Sequence, residues 1–109
     1  MARYIITGSY TSAGMRGMVA HPSDREAATR ALVEGSGGKL LTYLLTTGDN
    51  DFLMVTEADD TSGLIAALMV AGASGAVSNL KTVQAFTSAE FLAAQKKAGA
   101  LAAKYAAPN

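Results

Sequence analysis

The chain has 109 residues, half of them apolar, with nine basic and nine acidic side chains and no cysteine. That length suits a single domain spanning 1–109, with room for one core and not two. Scattered, balanced charge excludes a basic nucleic-acid surface, and the missing cysteines exclude disulfides, thiolate metal sites and cysteine nucleophiles.

The first element is a strand at Arg3–Tyr10, rich in Ile, Thr and Tyr. Gly14 and Gly17 each disfavour a helix interior by about 1 kcal/mol relative to Ala, so 12–20 is expected as a loose turn or short helix ending at Pro22. Ser23-Asp24-Arg25-Glu26 has the S-x-x-E form of a capping box. The helix it predicts runs to about Glu34, with Ala27, Ala28, Ala31 and Leu32 as its inner stripe, and Gly35, Gly37 and Gly38 end it. Lys39–Thr47 and Asp51–Glu57 read as a strand pair around a tight corner. Asp59 or Asp60 caps a second helix over Thr61–Ala73, with Leu64, Leu68 and Ala71 on one face. A fourth strand follows at Ala76–Phe86, which closes a core of 3–87. Thr87-Ser88-Ala89-Glu90 is another capping box, opening a C-terminal helix over 88–106. There Phe91, Ala94, Ala98, Leu101 and Tyr105 form one apolar stripe that must bury against something.

Strand, helix, strand, strand, helix, strand is the ferredoxin-like α+β order, a four-stranded antiparallel sheet with two helices on one face. The middle strands are apolar at both alternating sets of positions, Leu40 and Leu44 against Leu41, Tyr43 and Leu45, and Phe52 and Met54 against Leu53 and Val55. An antiparallel sheet with one face in water would show polar residues there. The second face is therefore expected to be covered by another subunit's sheet, which makes the partner a second copy of the chain in a homodimer or higher oligomer. The longest apolar run, Gly63–Ala73, is about half of the roughly 20 residues a membrane span needs. No signal peptide is legible at the start, and the expected setting is cytoplasmic, with no membrane and no nucleic acid as partner.

The corner at TTGDND places Asp49 and Asp51 close together. Asp and Asn form turns by bonding nearby amides, and a lone D-x-D supplies too few oxygens for a hard cation. A hairpin corner is the favoured reading, with no metal; Asp51 stays a candidate for orienting a substrate. His21 is the only histidine, before Pro22 where the chain bends into its helix, and it reads first as an exposed or capping side chain and second as a general base. Tyr10, at the end of the first strand, and Tyr43 read as packing residues with hydrogen-bonded hydroxyls, or as ligand-binding residues together with His21. Arg3, Arg16, Arg25 and Arg30 read as solvated charges, with anion orientation as their alternative. Gly35-Ser36-Gly37-Gly38 follows a helix and precedes a strand, the reverse of a phosphate cradle.

TYLLTTGDNDFLMVTEADD resembles the central signature of GYD-domain proteins, small bacterial proteins named for a Gly, Tyr, Asp run at this corner. Thr46, Gly48, Asp49, Asp51, Glu57, Ala58 and Asp60 match it, as do Tyr4, Tyr10, Gly14, Gly37-Gly38, Thr82 and Ala85-Phe86-Thr87 around it. The likeness covers roughly 3–92, and Asn50 stands where the name-giving tyrosine would be. The resemblance implies a dimeric α+β barrel and no particular reaction. Two functions follow as expectations. One is a non-catalytic homo-oligomer binding a small apolar or aromatic ligand between sheet and helices, of which a stand-alone sensor, like the effector domains of amino-acid-responsive regulators, is a variant. The other is a cofactor-poor enzyme of monooxygenase or isomerase type, or a haem-binding barrel, built on His21 with Tyr10 and Asp51. No cofactor is required by the sequence, with haem as the one considered.

Overall fold

The computed structural model describes residues 1–108. Four strands, β1 (Ala2–Tyr10), β2 (Lys39–Leu45), β3 (Phe52–Ala58) and β4 (Val77–Ala85), form one antiparallel sheet in the order β2-β3-β1-β4. The helices are α1 (Ser12–Ala20), α2 (Arg25–Gly35), α3 (Thr61–Ala73) and α4 (Ser88–Ala102). The fold is ferredoxin-like α+β, the protomer architecture of dimeric α+β barrels. The core lies between the sheet and α2 and α3: Ile6, Leu40, Phe52 and Met54 are buried, with Val33, Leu64, Leu68, Val77 and Leu80 packed against them.

Of the two forms expected after β1, the segment takes the short helix, started by the Thr11 hydroxyl accepting from the Gly14 amide. Gly14 is there for space, since a Cβ at that position would collide with the Ala76 carbonyl. Several other local expectations need correction. The α2 cap is Asp24, whose Oδ1 accepts from the Ala27 amide at 3.1 Å. Glu26 does not complete a capping box with Ser23; it reaches forward to Arg30 at 3.0 Å, an i,i+4 pair. Ala28 and Leu32 line the cavity as expected, joined by Thr29 and Val33, while Ala27 and Ala31 are exposed, so the inner stripe lies about one residue further along the helix than expected. β2 stops at Leu45 and β3 starts at Phe52, so the corner is longer than the strand pattern suggests.

Alternation in β2 also breaks. The register passes from Leu40↔Thr56 to Thr42↔Val55, so Leu41 is an extra residue and Leu40 and Tyr43 share the helix-covered face. β4 carries a matching irregularity, where Thr7↔Lys81 is followed by Ser9↔Ser78 and Asn79 takes φ 54°. With the extra residue, Val77 and Leu80 both reach the inner face. The outer face is consequently less apolar than expected. Its cross-strand rows hold Val55, Ile5 and Val83, then Leu44 and Leu53, but also Thr42, Thr7 and Lys81 and an Arg3–Glu57 ion pair at 3.3 Å.

α4 does not cover that face. Every residue of α4 is exposed, including Phe91, Leu92 and Leu101, and the described chain extends 61 × 32 × 22 Å with a radius of gyration of 17.9 Å. A compact 100-residue domain has a radius near 13 Å. The helix is capped as its sequence demands, with the Thr87 hydroxyl accepting from the Glu90 amide and the Glu90 carboxylate accepting from the Thr87 amide. Its apolar stripe finds no cover among the described residues. No helix among the described residues is long and apolar enough to cross a membrane.

Candidate functional site: a cavity between sheet and helices

A cavity of about 220 Å³ opens between the sheet and α2 and α3, walled chiefly by aliphatic side chains and floored by Phe52. β1 and β3 bring Ile6, Phe52 and Met54 to it by simple alternation, and the irregularity in β2 brings Tyr43. Gly8 is the close approach that seats the floor, because a Cβ there would lie 2.5 Å from Phe52 Cζ. The Tyr43 ring stacks on Phe52 at 6.3 Å and 10°, while Tyr10 leans on the same ring at 5.4 Å and 50°.

Polar groups are few and unevenly satisfied. The Tyr10 and Tyr43 hydroxyls share a hydrogen bond of 2.8 Å. Burial pushes the Tyr43 phenol well above its ordinary pKa, and the bond to Tyr10 adds to the shift. An unfolded Tyr43 ionises near pH 10 while the folded residue keeps its proton, so its contribution to stability is complete below about pH 10 and is lost as pH rises beyond it. In an absorbance titration, the wild-type signal minus that of Tyr43→Phe is the Tyr43 phenolate, and it should be absent at about pH 10 and appear only at higher pH. A full extra phenolate in wild type already at about pH 10 would contradict this placement.

Thr56 is the most buried polar residue, 2% exposed, and its Oγ1 has no hydrogen-bond partner. It lines the same cavity, one inward position beyond Met54. The hydroxyls of Thr29, Ser36 and Ser74 are already spent on the carbonyls of Arg25, Val33 and Ala71. A buried hydroxyl without a partner costs about 1–3 kcal/mol, so the single unsatisfied one at an apolar cavity wall marks a place where a ligand atom would be stabilising.

The residues singled out from sequence are partly brought together. Tyr10 and Tyr43 meet at the cavity. The Asp51 carboxylate lies outside it, accepting from the Tyr10 amide at 2.8 Å, so it fixes the end of β1. The corner is a knot of short bonds: Thr46 Oγ1 donates to the Asn50 carbonyl at 2.6 Å, the Asp51 amide to the Gly8 carbonyl at 2.8 Å, and Gly48 takes φ 107°. Asp49 contributes its carbonyl to Ser9, a turn role. His21 is exposed at the C-terminus of α1 and lines a second, shallower hollow of about 310 Å³. Tyr10 and Arg25 border both spaces. Among the described residues no three acidic or histidine side chains cluster as a metal site would require. Sequence reasoning missed Thr56 and named Arg25 only as one of four arginines that could orient an anion. The first was legible as the third inward position after Phe52 and Met54; nothing in the sequence distinguished Arg25 from the other arginines.

A family model for the GYD domain matches residues 4–94. The chain belongs to the GYD-domain family. Two solved structures share the fold of this GYD domain. A transcriptional regulator from Neisseria meningitidis, solved with L-methionine, is 16% identical with a TM-score of 0.56, over 80% of this chain and 51% of its own. The regulator MtbAldR is 16% identical with a TM-score of 0.53, over 79% of this chain and 52% of its own. The GYD domain therefore spans about half of each of these two proteins. None of the curated proteins matches it significantly in sequence.

Proposed function

We propose that this GYD domain is a non-catalytic, homo-oligomeric binding protein of the cytoplasm that holds a small apolar or aromatic ligand between sheet and helices. The observation that carries this reading is the apolar cavity of about 220 Å³ with one orphaned, buried hydroxyl, Thr56 Oγ1, in its wall. An apolar cavity of about 150 Å³ is enough to bind benzene, so this one has room for a substituted ring. Catalysis finds less support. His21 is exposed, and the Asp51 carboxylate is engaged by a backbone amide.

Self-association belongs to the same reading. A helix of 15 residues without tertiary packing is marginal in water, and α4 has no packing in a single chain. The outward Ile65 and Met69 of α3 add to the uncovered apolar surface. A second copy, placed over the Val55–Ile5–Val83 row and the α4 stripe, supplies what both lack.

The test of the cavity is fluorobenzene followed by ¹⁹F NMR. The reading expects one saturable site per chain, abolished in Ala67→Phe, which fills the space from α3. Absence of any saturable shift in a folded protein would overturn it.

A further inference from the structure

We propose that the cavity takes a small aromatic carboxylate, its ring on Phe52 and its carboxylate held between Arg25 and the Tyr10–Tyr43 hydroxyl pair. This rests on the cavity reading above and adds the charge of the ligand.

The argument is an accounting of donors. Two hydroxyls that share one hydrogen bond use one of their two protons, so the Tyr10–Tyr43 pair keeps a second O–H to donate, for which the Thr29 hydroxyl, itself donating to the Arg25 carbonyl, is the neighbouring neutral acceptor that an anionic oxygen would outcompete. Arg25 lines the cavity beside it, and its charge bears on the Tyr43 hydroxyl. Its only side-chain hydrogen bond among the described residues goes from Nη1 to the neutral Ser23 hydroxyl at 3.1 Å. The other arginines differ: Arg3 is paired with Glu57, Arg30 with Glu26 and the Leu40 carbonyl, and Arg16 is exposed on α1 and lines neither hollow. Glu57, the one acidic residue bordering the cavity among the described residues, has its carboxylate on Arg3 at the outer sheet face. Asp24 precedes Arg25, but its Oδ1 caps α2 at the Ala27 amide. A half-buried guanidinium without a carboxylate partner and a phenol proton with only a neutral acceptor beside it lie on the wall of an otherwise apolar space. The acceptor that satisfies both is an anionic oxygen, and the remaining volume admits a ring with a short substituent and no long acyl chain.

Titration of three matched probes by ¹⁹F NMR near neutral pH tests this: 4-fluorobenzoate, 4-fluorobenzyl alcohol and fluorobenzene. The benzoate should bind at least about tenfold more tightly than the alcohol, as a charge-assisted hydrogen bond allows. Arg25→Gln should erase that preference and Arg25→Lys should keep part of it, with melting temperatures showing that both variants fold. Equal or tighter binding of the alcohol in wild type, or an unchanged preference in Arg25→Gln, overturns the proposal. Fluorobenzene separates the two failures. If it binds and benzoate does not, the cavity reading stands and the anionic head is wrong; if neither binds, both fall.

Discussion

Replacing Phe52 with alanine should lower the unfolding free energy by about 3–5 kcal/mol, the range seen when a buried aromatic is cut to a methyl. Phe52 is 3% exposed and is the ring on which both cavity tyrosines rest. Aromatic pairs of this kind add about 0.5–1.5 kcal/mol beyond burial, and Gly8, against which the ring packs, has no side chain to extend into the gap. For a domain whose total stability is about 5–15 kcal/mol, that is a large fraction. Urea denaturation would show the transition midpoint falling with an unchanged slope. The chain provides its own controls: Phe86 and Phe91 are 62% and 64% exposed. Their alanine variants, measured in the dissociated protein, should stay within about 0.5 kcal/mol of wild type. A loss below about 1.5 kcal/mol for Phe52→Ala would mean that the cavity floor is not packed as described.

The same ring shows how far the sequence could be read. Phe52, Met54 and Thr56 alternate strictly, so their common face was legible from period two alone. In β2 the run KLLTYLL has Thr42 as its only polar residue between Lys39 and Leu45 apart from the amphipathic Tyr43, too little to mark a register. Leu41 could be inserted without leaving a trace in the pattern, and Tyr43 came to the cavity by a step that alternation forbids. The α2 start failed for a different reason. Ser23 and Asp24 are both good caps, and only geometry selects between them. The corner around Asp49 and Asp51 was legible as a turn because Asp, Asn and Gly have few other uses at such density. That Asp51 would tie down Tyr10 was not legible, since the contact joins residues 41 positions apart. The site was accessible to sequence reasoning where local chemistry decides and hidden where distant segments meet.

Placing a carboxylate on the outer sheet face, by Val83→Asp, should dissociate the protein while leaving each chain folded. Val83 is 57% exposed in the single chain. Were that face bathed in water, the change would fall among surface substitutions worth about 0.5 kcal/mol or less. Under the proposed assembly the position lies beside Ile5 in the row a second copy covers, and an unpaired charge buried there costs several kcal/mol. At 1.4 kcal/mol per tenfold, the dissociation constant should rise by at least about a thousandfold. Lys81 is on the same face, but it pairs with Thr7, one row away, and is exposed. Any rescue by a Lys81 ion pair at that surface would be worth only about 0–1 kcal/mol. Native mass spectrometry of wild type and Val83→Asp, beside their circular dichroism, reads both consequences together. Helical signal matters as much as mass, because α4 depends on the same neighbour: dissociation should be accompanied by loss of helix equivalent to part of those 15 residues. A Val83→Asp protein that keeps the wild-type mass would leave the outer face uncovered and the α4 stripe without the partner proposed for it.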